Sequence, residues 1–326
     1  MAKTIFFFGL MVVMVLVLVP FSSLYAKNPA SMARVIPPLV STEWLEKNKD
    51  TPHLVILDVR NSQEYDAGHI PGAINSSSSQ WFINPPFGEG FPWMELPKEA
   101  DLFNTIGSSG ITKESLVVVV GRTAGSMAAY TIADSTRVAV TLIYAGVRSV
   151  SVLDGGYNKW AEDGGHVSHE PITPAPSSYK GDVNREMFVS KSYVEGKMRK
   201  SVLVDARDAD VYFGVTLEPW CKRAGHIPGA KCLPVPWFWD FSKNNEGGVI
   251  YGTYKESEIL KAMVMPSVGR KKAERIIIYC GVGGYSSTMY FVLSEVLGYR
   301  NVKIYDGSAQ EWTADPGTPV VKYVWE

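Results

Sequence analysis

Residues Cys280-Gly281-Val282-Gly283-Gly284-Tyr285-Ser286 set one thiol just past an apolar run, Ile276 to Ile278, and ahead of three glycines. A loop that curls around a sulfur must aim successive N–H groups inward, with backbone angles that glycine adopts at little steric cost. A helix opening near Ser286 adds unpaired N–H groups and the positive end of its dipole. Such a setting stabilises a thiolate and, equally, the terminal anion of a persulfide. The chemistry it implies is covalent sulfur transfer at Cys280. The bland reading of the same residues is a buried cysteine beside a glycine turn.

The chain carries its own control. LVILDVRNSQEYDAGHIPGAI at 54–74 is echoed by VLVDARDADVYFG and AGHIPGAKCLPV within 202–235. VVVVGRTAGS at 117–126 faces IIIYCGVGGYS at 276–286, and VSVLDGGYNKW at 150–160 faces VKIYDGSAQEW at 302–312. Aligned on the strand, Gly121 stands opposite Cys280, so the first copy has no nucleophile. Residues common to both copies, Asp58/Asp205, Arg60/Arg207, His69/His226 and Asp154/Asp306, persist without the cysteine and are expected to hold the fold through ion pairs and turn hydrogen bonds.

Two repeats of this length are two domains, expected over 35–168 and 183–326. The segment 169–182, HEPITPAPSSYKGD, has three prolines and reads as an extended linker. Short β-branched runs at Leu54 to Leu57, Val117 to Val120, Val202 to Val204 and Ile276 to Ile278 read as strands buried on both faces. They alternate with helix-length stretches. Ser286 to Leu297 is one of these, with Met289, Val292, Leu293 and Val296 on one face and Gly298 as its stop. The pattern predicts an α/β fold, a parallel sheet covered by helices on both faces, built twice.

In both copies the motifs run in one order: D-x-R, then G-H-I-P-G-A, then a strand and loop leading into a helix, then D-G. With the cysteine loop of the second copy, this resembles the rhodanese sulfurtransferase family in its tandem form, with a catalytically inactive first domain and an active second one. The resemblance covers roughly residues 35 to 326. It implies that the Cys280 thiolate takes the outer sulfur of a donor such as thiosulfate, mercaptopyruvate or polysulfide. The resulting persulfide then passes that sulfur to an acceptor: a thiol, cyanide or a thioredoxin-like protein. No cofactor beyond that persulfide is implied. Substrate contacts fall to Gly281, Val282, Gly283, Gly284, Tyr285 and Ser286.

The loop departs from both branches of the family. Thiosulfate enzymes resemble C-R-K-G and mercaptopyruvate enzymes C-G-S-G, whereas this loop reads C-G-V-G. Substrate arginines of the family lie in G-R-[FY] and E-P-R patterns, and here those places read Asp210-Val211-Tyr212 and Glu218-Pro219-Trp220. Lys222 and Arg223 lie just beyond, and Arg223 is the candidate replacement. Without loop cations a dianion leaving water is poorly compensated, so a less charged donor is expected: a polysulfide, a protein-bound persulfide or a selenium analogue. A module that captures sulfur or selenium without turnover, or docks to a redox partner, is the alternative. Cysteine phosphatases share the topology but need an arginine in the loop, and residues 281–299 contain no Arg or Lys.

Composition sets the remaining bounds. A formal net charge of -1 gives no pull toward nucleic acid. Lys3, an apolar run from Ile5 to Val19, then Pro20 and Ala26 read as a secretory signal over 1–26, which predicts export to the periplasm or beyond with no stable membrane span after cleavage. Three cysteines make no disulfide framework, although Cys221 and Cys232 could pair with each other and leave Cys280 free. Five histidines, none at ligand spacing beside paired cysteines, imply no metal. Aromatic clusters such as Trp81-Phe82 and Trp237-Phe238-Trp239 read as packing between domains, with the Trp237 group near enough in sequence to reach the rim of the Cys280 site.

Overall fold

A computed structural model describes residues 34–85 and 92–326, together with Met1. The proposed signal over 1–26 therefore lies, apart from Met1, outside the described residues. The first repeat runs β1 (Leu39–Val40), α1 (Thr42–Asn48), β2 (Leu54–Asp58), α2 (Ser62–Asp66), β3 (Ile74–Asn75), α3 (Glu99–Ser108), β4 (Leu116–Val120), α4 (Ala128–Tyr144), β5 (Ser149–Leu153) and α5 (Gly156–Glu162). The second runs β6 (Phe188–Val189), α6 (Lys191–Lys197), β7 (Val202–Asp205), α7 (Ala209–Phe213), β8 (Ala230–Cys232), an inserted hairpin of β9 (Trp239–Lys243) and β10 (Val249–Tyr254), α8 (Ser257–Val268), β11 (Ile276–Tyr279), α9 (Gly284–Tyr290), β12 (Val302–Tyr305) and α10 (Ser308–Ala314).

Both five-stranded sheets are parallel and share one order, β1-β5-β4-β2-β3 and β6-β12-β11-β7-β8. The central strands β4 and β11 are the most apolar runs because helices cover both faces, and Ile276, Ile277, Ile278 and Tyr279 are wholly buried. The loops leaving the carboxyl ends of β4 and β11 therefore occupy equivalent places, where ligands bind in open α/β sheets. Serine caps open the first helix of each repeat alike: Ser41 accepts from Trp44 N and Ser190 from Tyr193 N.

The residues common to both copies do structural work. Arg60 grips both oxygens of Asp58 and donates to the Gly68 carbonyl, and Arg207 does the same with Asp205 and Gly225. The two histidines stack on Tyr65 and Tyr212 at 3.8 and 3.7 Å between ring centroids, and each tyrosine hydroxyl donates to a backbone carbonyl, of Ala73 or Ala230. Asp154 and Asp306 do more, because they join the halves. Asp154 accepts from Tyr254 N in the second half at 2.8 Å, and Asp306 accepts from Leu96 N in the first at 3.0 Å.

The segment 169–182 has no regular secondary structure and is pinned to the first half by Ser177 and by Tyr179, whose hydroxyl donates to the Ala145 carbonyl at 2.9 Å. The helix expected from Ser286 begins two residues earlier, because Gly283 at φ +135° turns the chain into it, and it widens to a π-helix over Phe291–Val296. Gly298 at φ +72° follows its end.

Candidate active site

The site forms where β11 ends. Cys280 is 2% exposed, and its Sγ accepts a hydrogen bond from Gly283 N at 3.1 Å. The thiol lies 3.6 Å from Ser286 Oγ, which in turn donates to the Gly283 carbonyl at 3.0 Å. At Gly283 the left-handed φ brings its amide back onto the sulfur three residues up the loop, a turn costly for any side chain. Gly284, Tyr285 and Ser286 open α9, so their N–H groups have no carbonyl one turn back inside the helix. The remaining loop residues face elsewhere. Gly281 faces Trp220 and Glu218, Val282 is buried in the core, and the Tyr285 ring stacks on Tyr130 at 5.5 Å.

The first half builds the far wall. Gly284 packs on Ala133 of α4, and Met94 lies against Gly283 and Gly284. Arg137 of α4 is wholly buried: it donates to Ser287 Oγ at 3.3 Å and to Asp306 Oδ1 at 2.9 Å, over the face of Phe188. Ser287 Oγ donates to the Gly283 carbonyl at 2.8 Å, so this guanidinium braces the residue whose amide meets the sulfur. Gln310 exchanges two hydrogen bonds with the Trp93 backbone and ties the same segment down.

Sequence reasoning missed Ser308. It is a buried, non-glycine residue at φ +49°, and its Oγ accepts from Cys280 N at 3.3 Å while donating to the Tyr305 carbonyl at 3.0 Å. Its counterpart in the first half is Gly156, at φ +55°. A serine where the sister copy keeps a glycine, in a conformation that costs a serine about 1 to 3 kcal/mol, was the signal available in the sequence. Gln310 N and Ala309 N complete the brace on the carbonyls of Gly281 and Cys280, at 3.0 and 2.9 Å.

Arg223, the candidate replacement for a family arginine, donates through its guanidinium to the carbonyls of Trp312, Thr313, Asp315 and Thr318, closing the end of α10, where four carbonyls lack partners within the helix. One expectation is corrected. Cys221 and Cys232 are free thiols, not a disulfide. Burial pushes each of them up to about 12, which leaves them protonated and inert at neutral pH.

The residues around Gly281 are acidic and aromatic. Glu218 lies against Gly281, 3.7 Å from Arg207, and burial raises its carboxyl to about 7 despite that neighbour. Burial, with Asp210 nearby, raises Asp208 as well. Trp220 meets Trp93 edge-on at 5.7 Å, and the buried Trp239 meets Tyr285 at 6.2 Å, while Trp237 points to solvent. No cluster that could hold a metal occurs among the described residues.

At the matching place in the first half, Ser135 Oγ occupies the room a side chain at Gly121 would need. The adjoining cleft of about 170 Å³ is lined by Arg60, Arg122, Asp134 and Ser135 and holds no nucleophilic thiol.

The family model described as a rhodanese-like domain matches residues 41–163 and 190–315. The chain belongs to the rhodanese-like family. This rhodanese-like chain is 32% identical over 297 residues to the sulfur carrier protein TtuD of Thermus thermophilus, covering 87% of this chain and 96% of that one. It is 30% identical over 296 residues to a Mycobacterium leprae protein that goes under the thiosulfate sulfurtransferase name, covering 86% and 96%. Among solved structures, the anaerobic ergothioneine biosynthesis enzyme from Chlorobium limicola, in complex with trimethyl histidine, superposes with a TM-score of 0.73 at 24% identity, over 88% of this chain and 70% of that one. That likeness concerns the fold.

Proposed function

We propose that Cys280 carries sulfur as a persulfide between a weakly charged donor and a thiophilic acceptor. The chain is a rhodanese-type sulfurtransferase, in keeping with the names of its relatives. The observation that carries the role of Cys280 is its Sγ in the turn of Gly283, with Ser308 and Ser286 on either side. When the thiolate attacks the outer sulfur of a donor, that sulfur's bond to the donor breaks and the donor leaves with the electron pair. Attack by an acceptor thiolate on the same sulfur returns Cys280 to the thiolate. Gly281 against Trp220 and Glu218 supports a donor other than thiosulfate, since the guanidinium beside Glu218, Arg207, is already taken up by Asp205 rather than left to receive a dianion. The leader-like residues ahead of Ala26 support action outside the cytoplasm, and amino-terminal sequencing of the protein recovered from a periplasmic fraction tests it.

Intact mass after incubation with thiosulfate, mercaptopyruvate or polysulfide, with Cys280→Ser alongside, tests the carrier role. A gain of one sulfur atom that disappears with cyanide or a thiol, and is absent from the variant, supports it. Gain from no donor rejects it. A gain that no acceptor removes points instead to capture without turnover.

A further inference from the structure

Charge beside the Cys280 loop, around Gly281, is one-sided. Glu218 Oε2 and Oε1 come within 2.7 and 3.0 Å of where a Cβ on Gly281, the residue after the nucleophile, would stand. Arg207, the guanidinium nearest Glu218, is already held by both oxygens of Asp205, so above about pH 7, where Glu218 ionises, the three groups carry a net negative charge. Asp208 opens α7 on the same side and acts electrostatically on Tyr285, Tyr130 and Glu218. Of the nearby cations, Arg137 lies behind the loop on Asp306, Arg223 closes α10, and Lys222 is exposed to solvent. Aromatic faces complete the wall, from Trp220 against Trp93 and from Tyr130 against Tyr285, and such faces attract cations.

From this arrangement we infer that the sulfur acceptor is a thiol carrying a positive charge close to its sulfur, an aminothiol or a thiol beside a cationic group. The inference rests on Cys280 as the sulfur carrier. In the transfer, the acceptor thiolate attacks the outer sulfur, the new S–S bond forms, and the bond from that sulfur to Cys280 Sγ breaks with its electron pair returning to Sγ. Glu218 and Asp208 hold the acceptor's cation through the step, and Trp220 shields the pair from water.

The test takes wild-type protein loaded with polysulfide and freed of excess, then follows loss of the added sulfur by intact mass with cysteamine, 2-mercaptoethanol and mercaptoacetate. Rates are corrected for each thiol's thiolate fraction. Cysteamine is expected to lead 2-mercaptoethanol, and that to lead mercaptoacetate, by about fivefold per charge step, the size of one partly solvated charge pair. The spread narrows at high salt and in Asp208→Asn/Glu218→Gln. Equal corrected rates, mercaptoacetate in the lead, or a full spread retained in the double variant each overturn the inference. Failure of the protein to load at all rejects the carrier role instead.

Discussion

Trp220 Nε1 occupies the space that a side chain at Gly281 would fill. The two residues therefore constrain each other: one is large at a place where relatives set a substrate arginine, and the other is small where thiosulfate-type loops carry one. Gly281→Arg should overfill the site, cost about 1 to 3 kcal/mol, and abolish sulfur loading. Adding Trp220→Ala to it should restore folding and shift donor preference toward thiosulfate. Donor-dependent loading rates and melting curves of the single and double variants check this, and an unchanged single variant contradicts it.

Ser308 pits backbone comfort against its hold on Cys280. Ser308→Gly relieves the left-handed φ and should keep or raise the melting temperature while slowing sulfur loading, because Cys280 N loses its acceptor. Ser308→Ala retains the strain and loses the hydroxyl, so it should be less stable by about 1 kcal/mol as well as slow. Loading at the native rate in both variants would remove Ser308 from the site.

Gly121→Cys should not create a second sulfur carrier. Its Cβ would overlap Ser135 Oγ, and the loop has Ala124 where the second copy has the left-handed Gly283. Destabilisation of about 1 to 3 kcal/mol is expected, and Cys280→Ser/Gly121→Cys should gain no sulfur that cyanide removes. Cyanide-labile sulfur on that double variant is the contrary outcome.

Four half-buried carboxyls titrate high: Glu218, Glu95 and Asp134 are raised to about 7 and Asp154 to about 6, each chiefly by desolvation. A group whose folded value exceeds its unfolded one holds its proton more tightly in the native state. For Glu218, unfolding between about 4.5 and 7 therefore releases a proton, and stability falls as pH rises through that window. The protein should melt higher near pH 5 than near pH 8. Glu218→Gln should remove on the order of 2 to 3 kcal/mol of that slope, and a melting temperature that climbs from pH 5 to 8 in the native protein argues against it.

Much of this was legible in the chain because it is written twice. The β-branched runs marked β4 and β11, and the missing cysteine at Gly121 separated chemistry from architecture. That comparison gave Asp58, Arg60, Asp205 and Arg207 a role in holding the fold, and the structure pairs Asp58 with Arg60 and Asp205 with Arg207. Arg223's neighbours in sequence are not its partners in space: α10 needed a donor at its end, and a long guanidinium reached it. Glu218 and Trp220 stood in the sequence at the place of the family's E-P-R pattern, but Arg137 and Met94 reach the site from the first half, and spacing along a chain carries no record of such meetings. Ser308 alone left a trace, as a serine in a glycine's place.

Asp306 takes its partners from the first half, Leu96 N and Arg137, and Asp154 takes Tyr254 N from the second. This reciprocal handclasp makes the half without a cysteine an indispensable part of the half that has one. Severed from residues 34–168, the second half would expose Gly284 where Ala133 now seats and leave Asp306 without its counter-ion. A repeat without a cysteine can thus still be kept, as one jaw of a vice whose other jaw holds Cys280.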